Sequence, residues 1–378
     1  MIEEFKEIAT TLYNPYAMKW KEGGRKIIAY GGIQVPGEVI HAAGMLPFRL
    51  RGTGATSTLI SDQYFGPVIC SFPKCILQLA GEGKYGFLDG VVITTECDHM
   101  RRLYDCWRVA EQDYLGILPS YFHYYAMLHK MSEYGVKWVT EETRILADSI
   151  AKHFGVEITD EKLSDAIRIF NEYRTLSQKL DELRKGDPVP ISGAEATAVA
   201  VAGTAMPKEE FNRLLRALIE QLEKSKDGIT GRKRLLLAGS ASDDLDLVGL
   251  MEEAGAVVVA DSLCFGSRCY ADLVDEEGDP LAAIARRYLS HSLCPRMYGE
   301  YDSRLGFIKD RVEEWKVDGV VLQNIRFCDM HGCDNGIMEP DLEAIGIPTL
   351  RLEREYGPLI ETGRVQMRLD AFLERLSR

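Results

Sequence analysis

Apolar runs alternate along this chain with segments whose apolar residues recur at helical spacing. RKIIAYGG reads as a short buried strand ending on Gly31 and Gly32, which make an ordinary strand-to-helix turn. PGEVIHAAG reads as a helix stopped by Gly44, followed by a strand over Leu46–Leu50. Pro73–Leu79 suits a helix with the proline in its first turn, Gly90–Thr95 a strand, and DYLGILPSYFHYY holds one more strand. Ahead of these, Ile2–Lys21 reads as one opening helix. Runs that are apolar throughout, joined by helical segments, indicate a parallel sheet built from βαβ crossovers.

The pattern changes from about Thr140 to Lys226, where TEETRILADSIAKHF, SDAIRIFNEYRTLSQKLDELRKG and PKEEFNRLLRALIEQLEKSK all carry helical periodicity. Thr140 and Thr159 stand before acid-rich first turns and read as helix N-caps. A second alternating unit follows: RKRLLLAGS, AVVVADSLC, GVVLQNIRFC and IPTLRLERE as strands, DLDLVGLMEEAG and AAIARRYLSHSL as helices. Both units place a helix ending in Ala-Gly just before a strand (HAAG before MLPFRL, EEAG before AVVVA), a sign of weak internal duplication. The expected architecture is α/β: two small doubly wound parallel-sheet domains, 1–139 and 229–378, joined by a helical connector over 140–228. Ligands of such sheets bind beyond the carboxyl ends of the strands, where Cys97, Cys264 and Cys328 are expected.

Length supports this division, since 378 residues exceed the roughly 100–200 of one ordinary domain. With 45 basic and 58 acidic residues the net charge is −13, which argues against nucleic acid or an anionic membrane as partner. Any anionic ligand then needs a local basic pocket. The chain has no apolar run long enough to span a bilayer, and its start carries acids where a signal peptide is basic, so a soluble cytoplasmic protein is expected. In that compartment nine cysteines do not read as a disulfide framework; metal ligation, redox chemistry or plain burial remain.

Two strands end alike. LDGVVITTECDHM delivers Cys97, Asp98 and His99; VDGVVLQNIRFCDMHGC delivers Cys328, Asp329 and His331. Three pairs share a C-x4-C spacing: Cys70 and Cys75, Cys264 and Cys269, Cys328 and Cys333. The C-x2-C pairs of zinc ribbons, the H-E-x-x-H of zinc proteases and the dense cysteine runs of ferredoxins are all missing. Thiolates dispersed along the chain but gathered at strand ends suit a cluster held between two domains. His99 and His331 are proton donors, supporting groups behind the ligands, or surface residues; Asp98 and Asp329 read as caps of the next helices. Arg49, Arg51, Arg101 and Arg102 either meet phosphates or are solvated. With no P-loop and no G-x-G-x-x-G, the chain is not expected to hydrolyse a nucleotide itself.

Several segments, in order, resemble the family of 2-hydroxyacyl-CoA dehydratase D-components, which includes subunits of ATP-dependent benzoyl-CoA reductase. They are VPGEVIHAAGMLPFRL, CSFPK, FLDGVVITTECDHMRRLYDCW, DSLCFGSR, FCDMHG and IPTLRLEREYG. The resemblance implies two α/β domains with an iron–sulfur cluster in the cleft between them, a 4Fe-4S group on Cys70, Cys97 and Cys328 with one iron left open. It implies electrons from a separate ATP-hydrolysing activator that carries its own cluster, and a homodimer or a heterodimer with a paralogous subunit. It further implies a CoA-thioester substrate, dehydrated or reduced through a ketyl radical. His99, His331 and Tyr104 are the candidate proton sources, and Arg51, Arg101 and Arg102 the candidate cofactor-binding cations.

One branch of that family is similar in using six cysteines for a double cubane, 8Fe-9S, that reduces small molecules. On this chain Cys264, Cys294 and Cys75 are the candidates for the three further ligands, although a cysteine of that branch's pattern is missing. A structural paralogue is the non-enzymatic alternative. Cys106, Cys269 and Cys333 remain unassigned.

Overall fold

The computed structural model describes residues 1–225, 227–290, 293–357 and 361–378. Two four-stranded parallel sheets organise it. The first contains β1 (Ile27–Gly31), β2 (Leu46–Arg49), β3 (Gly90–Thr94) and β4 (Tyr121–Tyr125), in the order β2-β1-β3-β4. The second contains β5 (Lys233–Gly239), β6 (Ala256–Ser262), β7 (Gly319–Ile325) and β8 (Thr349–Arg354), in the order β6-β5-β7-β8. The two orders are the same, so the duplication read from paired motifs is a duplication of topology.

The central strands are fully buried along their length, GVVIT in β3 and GVVLQNI in β7, because helices cover both faces of each sheet. In both halves the chain winds outward to one side of the first strand and then crosses to the other, which opens a crevice between β1 and β3 and another between β5 and β7. Gly239, at the end of β5, has φ +132, and a Cβ there would lie 1.7 Å from Gln323 O of β7. Only glycine permits that approach of the two backbones.

One core runs through both halves. The Phe72 ring packs edge-on against Phe265 and Tyr356, at centroid distances of 6.2 and 5.0 Å. Polar contacts register the halves: Tyr356 Oη accepts from Gly52 N at 3.0 Å and donates to Asp243 at 2.6 Å, and Tyr356 N donates to Ser71 Oγ at 2.9 Å. Among the described residues no helix is long and apolar enough to cross a membrane.

Three local expectations are corrected. The opening segment forms two helices, Ile2–Thr10 and Pro15–Glu22, because Asn14 caps the second by accepting from Ala17 N and Pro15 starts it. Thr140 is not an N-cap: the helix Glu133–Phe154 begins earlier, with Ser132 accepting from Gly135 N, and Thr140 Oγ1 instead donates to Val136 O inside the helix. Thr159 does cap Asp160–Leu183, accepting from Lys162 N. Asp98 and Asp329 are first helical residues, and the cap positions before them belong to Cys97 and Cys328. Of the segment AAIARRYLSHSL, His291 and Ser292 lie outside the described residues.

Candidate functional site

Cys97 stands three residues beyond the end of β3, at the N-cap of the helix Asp98–Ala110; Cys328 stands three beyond the end of β7, at the N-cap of Asp329–Ala344. Cys70 is the N-cap of a third helix, Ser71–Gly81. Three helix N-termini thus bring three thiols to one place, and the positive ends of their dipoles favour a thiolate or an anionic group there. They line a cavity of about 70 Å³ between the two sheets, and Cys264 and Cys294 line it as well.

The five thiols fall into two groups. Burial pushes the Cys70 thiol well up, and the neighbouring Cys328 and Cys97 push it further; burial, Glu96 and Cys328 do the same for Cys97. These three are near enough to feel one another's charge. Burial raises Cys264 to about 11 against the opposing pull of Arg49 and Arg268, and raises Cys294 against Arg268. Cys328 is likewise raised by burial, with Ser240 donating to it in the opposite sense. As protonated thiols these side chains are poor ligands; a bound cationic centre deprotonates them.

Three arginines supply the surrounding charge. Arg49 donates to Cys264 O and lies 3.3 Å from Cys269 Sγ; Arg268 donates to Leu293 O at 3.0 Å and Gly239 O at 2.7 Å; Arg296 donates to Thr95 O, Met127 O and Leu128 O. All three are at least 97 % buried, and the Nε of each has no partner among the described residues. Glu96 is the carboxylate of the cavity, accepting from Ile33 N at 3.3 Å. It packs over Gly32, whose φ of +97 favours glycine and where a Cβ would crowd Glu96 Oε2 at 2.5 Å and Thr94 Cγ2 at 2.9 Å. Gly32, the second glycine of YGG, therefore seats a charged group at the cavity, beyond making a turn.

His99 Nδ1 accepts from Cys70 N at 3.3 Å and lies 3.2 Å from Cys70 Sγ, which puts the neutral ring's proton on Nε2. Burial lowers His99 and lowers His331 well below the ordinary histidine value, the latter helped by Arg268 and Arg304. Both rings line the cavity as neutral imidazoles at neutral pH.

Other candidate residues lie elsewhere. Tyr104 stacks on Phe122, ring centroids 4.9 Å apart, and is not among the residues lining the cavity. Arg51 is fully buried and caps the first helix, its two Nη atoms donating to Ala9 O at 2.5 Å, Thr11 O at 3.0 Å and Ile8 O at 3.2 Å, and it does not line the cavity. Arg101 and Arg102 are exposed on the helix that Cys97 caps. Cys75 is fully buried on the helix after Cys70, where a Cβ on Gly52 would meet its Cβ at 2.5 Å, and it does not line the cavity. Cys106 Sγ donates to Tyr64 O at 3.4 Å, and Cys333 is exposed.

Arg268, Arg296, Glu96 and Ser240 are site residues that the sequence reading does not single out. The first three carry a signal: each stands within four residues of a cavity cysteine, in CFGSR, CPR and EC. Among the described residues no three His, Cys, Asp or Glu side chains converge tightly enough for a single metal ion. Five thiols spread around one cavity, with buried guanidinium groups among them, suit a group of several metal atoms, one thiolate to each, better than a single ion.

The family described as 2-hydroxyglutaryl-CoA dehydratase, D-component, matches residues 32–376. The chain is 27 % identical to the (R)-phenyllactyl-CoA dehydratase beta subunit of Clostridium sporogenes, over 93 % of this chain and 92 % of that one. It is 22 % identical to the lactoyl-CoA dehydratase beta subunit of Anaerotignum propionicum, over 100 % and 98 %. It is 23 % identical to the (R)-2-hydroxyglutaryl-CoA dehydratase beta subunit of Acidaminococcus fermentans, over 100 % and 99 %.

Proposed function

We propose a function on one premise, that the chain belongs to the 2-hydroxyglutaryl-CoA dehydratase D-component family. In our reading it is the iron–sulfur component of a dehydratase or reductase acting on a CoA thioester. Cys70, Cys97 and Cys328 hold a 4Fe-4S cluster, and the observation that carries this is their convergence, as three helix N-caps from both halves, on one cavity. When bound, such a cluster supplies single low-potential electrons and one iron free of protein thiolate. An ATP-hydrolysing activator with its own cluster delivers the electrons, which accords with the missing P-loop, and a second subunit, identical or paralogous, completes the complex.

The chain's own side chains have definable tasks. Arg49, Arg268 and Arg296, themselves buried, offset the negative charge of the thiolates and of anions formed at the substrate. His99 holds the Cys70 main chain through Nδ1 and presents its proton on Nε2. His331, a neutral imidazole on the opposite half, relays a proton to or from the acyl group.

A second reading, a double cubane reducing small molecules, draws on the presence of Cys264 and Cys294 in the same cavity. It needs six thiolates, whereas five line the cavity among the described residues and Cys75 is turned into the core. Anaerobic purification with iron and sulfide analysis separates the two, about four irons per chain for one cubane and about eight for two. An electron paramagnetic resonance signal altered by a CoA thioester supports the first reading; a chain without iron after anaerobic work refutes both.

A further inference from the structure

Arg49 lines a second, small cavity, of about 40 Å³, bounded by β1, the helix Asp160–Leu183 and the helix Pro280–Ser290. Four cationic side chains line it: Arg49, Arg174, Lys208 and Arg287, each at most 5 % exposed. Among the described residues no carboxylate lines it. Glu38, just behind, accepts from Arg174 and from Tyr288 Oη at 2.8 Å, and so neutralises Arg174. Asp272 attracts Arg287 without lining the cavity.

The other three cations have no carboxylate bonded to them among the described residues: Glu38 and Glu209 attract Lys208, Glu38 and Asp272 attract Arg287, and Glu96 attracts Arg49, all at longer range. Arg287 donates to Asp272 O at 3.2 Å and Cys269 O at 2.8 Å. Lys208 donates to Gly203 O and lies 4.7 Å from the centre of the Tyr173 ring and 5.2 Å from that of Phe170. Among the described residues Arg49 Nε has no partner, and neither does the Nε of Arg174. Buried cations without a bonded counter-charge are costly. Burial accordingly holds Lys208 down to about 8 and lowers Arg287 too.

We propose that this cavity binds a compact oxyanion, held by Lys208 and Arg287, with Arg49 standing between it and the cysteine cavity. Guanidinium and ammonium donors together are the usual recognition set for phosphate-like oxygens. The rings of Phe170, Tyr173 and Tyr288 crowd the walls and keep the ligand small. The same chemistry is offered by a free ion or by a phosphate of CoA. Because Arg49 faces both cavities, an anion here offsets part of the positive potential at the cysteines. The proposal does not depend on the iron–sulfur reading.

Titration calorimetry of the full chain with sodium phosphate at pH 7 and constant ionic strength tests it, with chloride as control and CoA as the second ligand. Saturable binding of one phosphate is expected, weakened at least tenfold in Lys208→Met and in Arg287→Met. Arg286→Gln, an exposed residue that pairs with Glu133 at 2.8 Å, leaves it unchanged. CoA that competes with phosphate identifies a CoA phosphate as an occupant; CoA indifferent to phosphate identifies the free ion. Wild-type binding no stronger than that of chloride, or binding that survives in both Met variants, overturns the proposal. Should those variants fail to fold, a wild-type crystal grown in phosphate decides: an anion bonded to Lys208 and Arg287 upholds the site, and an empty cavity overturns it.

Discussion

Cys97 and Cys328 are positional equivalents in the two halves of the molecule: each lies three residues past the third strand of its sheet and opens the following helix. Equivalent positions predict equivalent losses. Cys97→Ser and Cys328→Ser should each retain less than about a tenth of the wild-type iron, since one thiolate of three is removed from a cluster with an already open iron. Cys75→Ala should keep full iron, because its thiol packs in the core, and should lose only about 1–2 kcal/mol of stability as a small core truncation. Anaerobic iron and sulfide assays beside chemical denaturation distinguish the two outcomes.

The proton-handling roles separate His331 from Tyr104. With iron content matched, His331→Ala should slow turnover by about a hundredfold, the usual size of a lost proton-transfer group. Tyr104→Phe should stay within about twofold, because the ring stacks on Phe122 and does not line the cavity. Equal losses in both variants would remove the assignment.

Arg51 holds carbonyls at the end of the first helix, so its removal is a folding lesion. Arg51→Gln is expected to cost about 2–4 kcal/mol, for the loss of charge-assisted bonds to two buried carbonyls and one half-buried one, with no change in affinity for a CoA thioester. Denaturant titration and ligand binding on the same preparation measure both.

Gly239→Ala should leave little folded chain. The added methyl would meet a main-chain oxygen of the neighbouring strand in a backbone conformation that alanine resists, so a loss above about 3 kcal/mol is expected. Soluble yield and thermal unfolding report it.

Asp89 gives a pH-dependent prediction. Burial alone would raise its carboxyl, but hydrogen bonds from Lys21, Ile27 N and Lys26 outweigh it and leave the group below the usual range. A depressed folded value means stability that is present above the unfolded value of about 3.9 and lost as pH falls through the folded one. Asp89→Asn should therefore be about 1 kcal/mol less stable than wild type at pH 7, with the gap closing below about pH 4. A gap of constant size from pH 7 to pH 3 would contradict this origin.

Much of the architecture is legible in the chain because strands buried on both faces must be apolar throughout, and VVIT, LLLA, VVVA and VVLQ announce themselves. The helix boundaries are less legible. Helical periodicity continues across Asn14-Pro15, although one helix ends at Thr10 and Asn14 caps the next, and Thr140 resembles a cap while serving inside a turn. Local patterns cannot tell a capping hydroxyl from one that bonds back along its own helix.

By itself the sequence determined the two alternating units, their duplication, and thiols at the ends of paired strands, since each rests on local periodicity and spacing. Only the tertiary structure decided which thiols share a cavity. Cys264 and Cys294 come to it from the second half, whereas Cys75, five residues from Cys70, points into the core because the helix turns it away. Only the fold, too, made Arg51 a helix cap and drew Arg49, Arg268 and Arg296 around the thiols. The physical reason is the same throughout: a side chain's charge and burial depend on neighbours that the chain supplies from distant parts of its length.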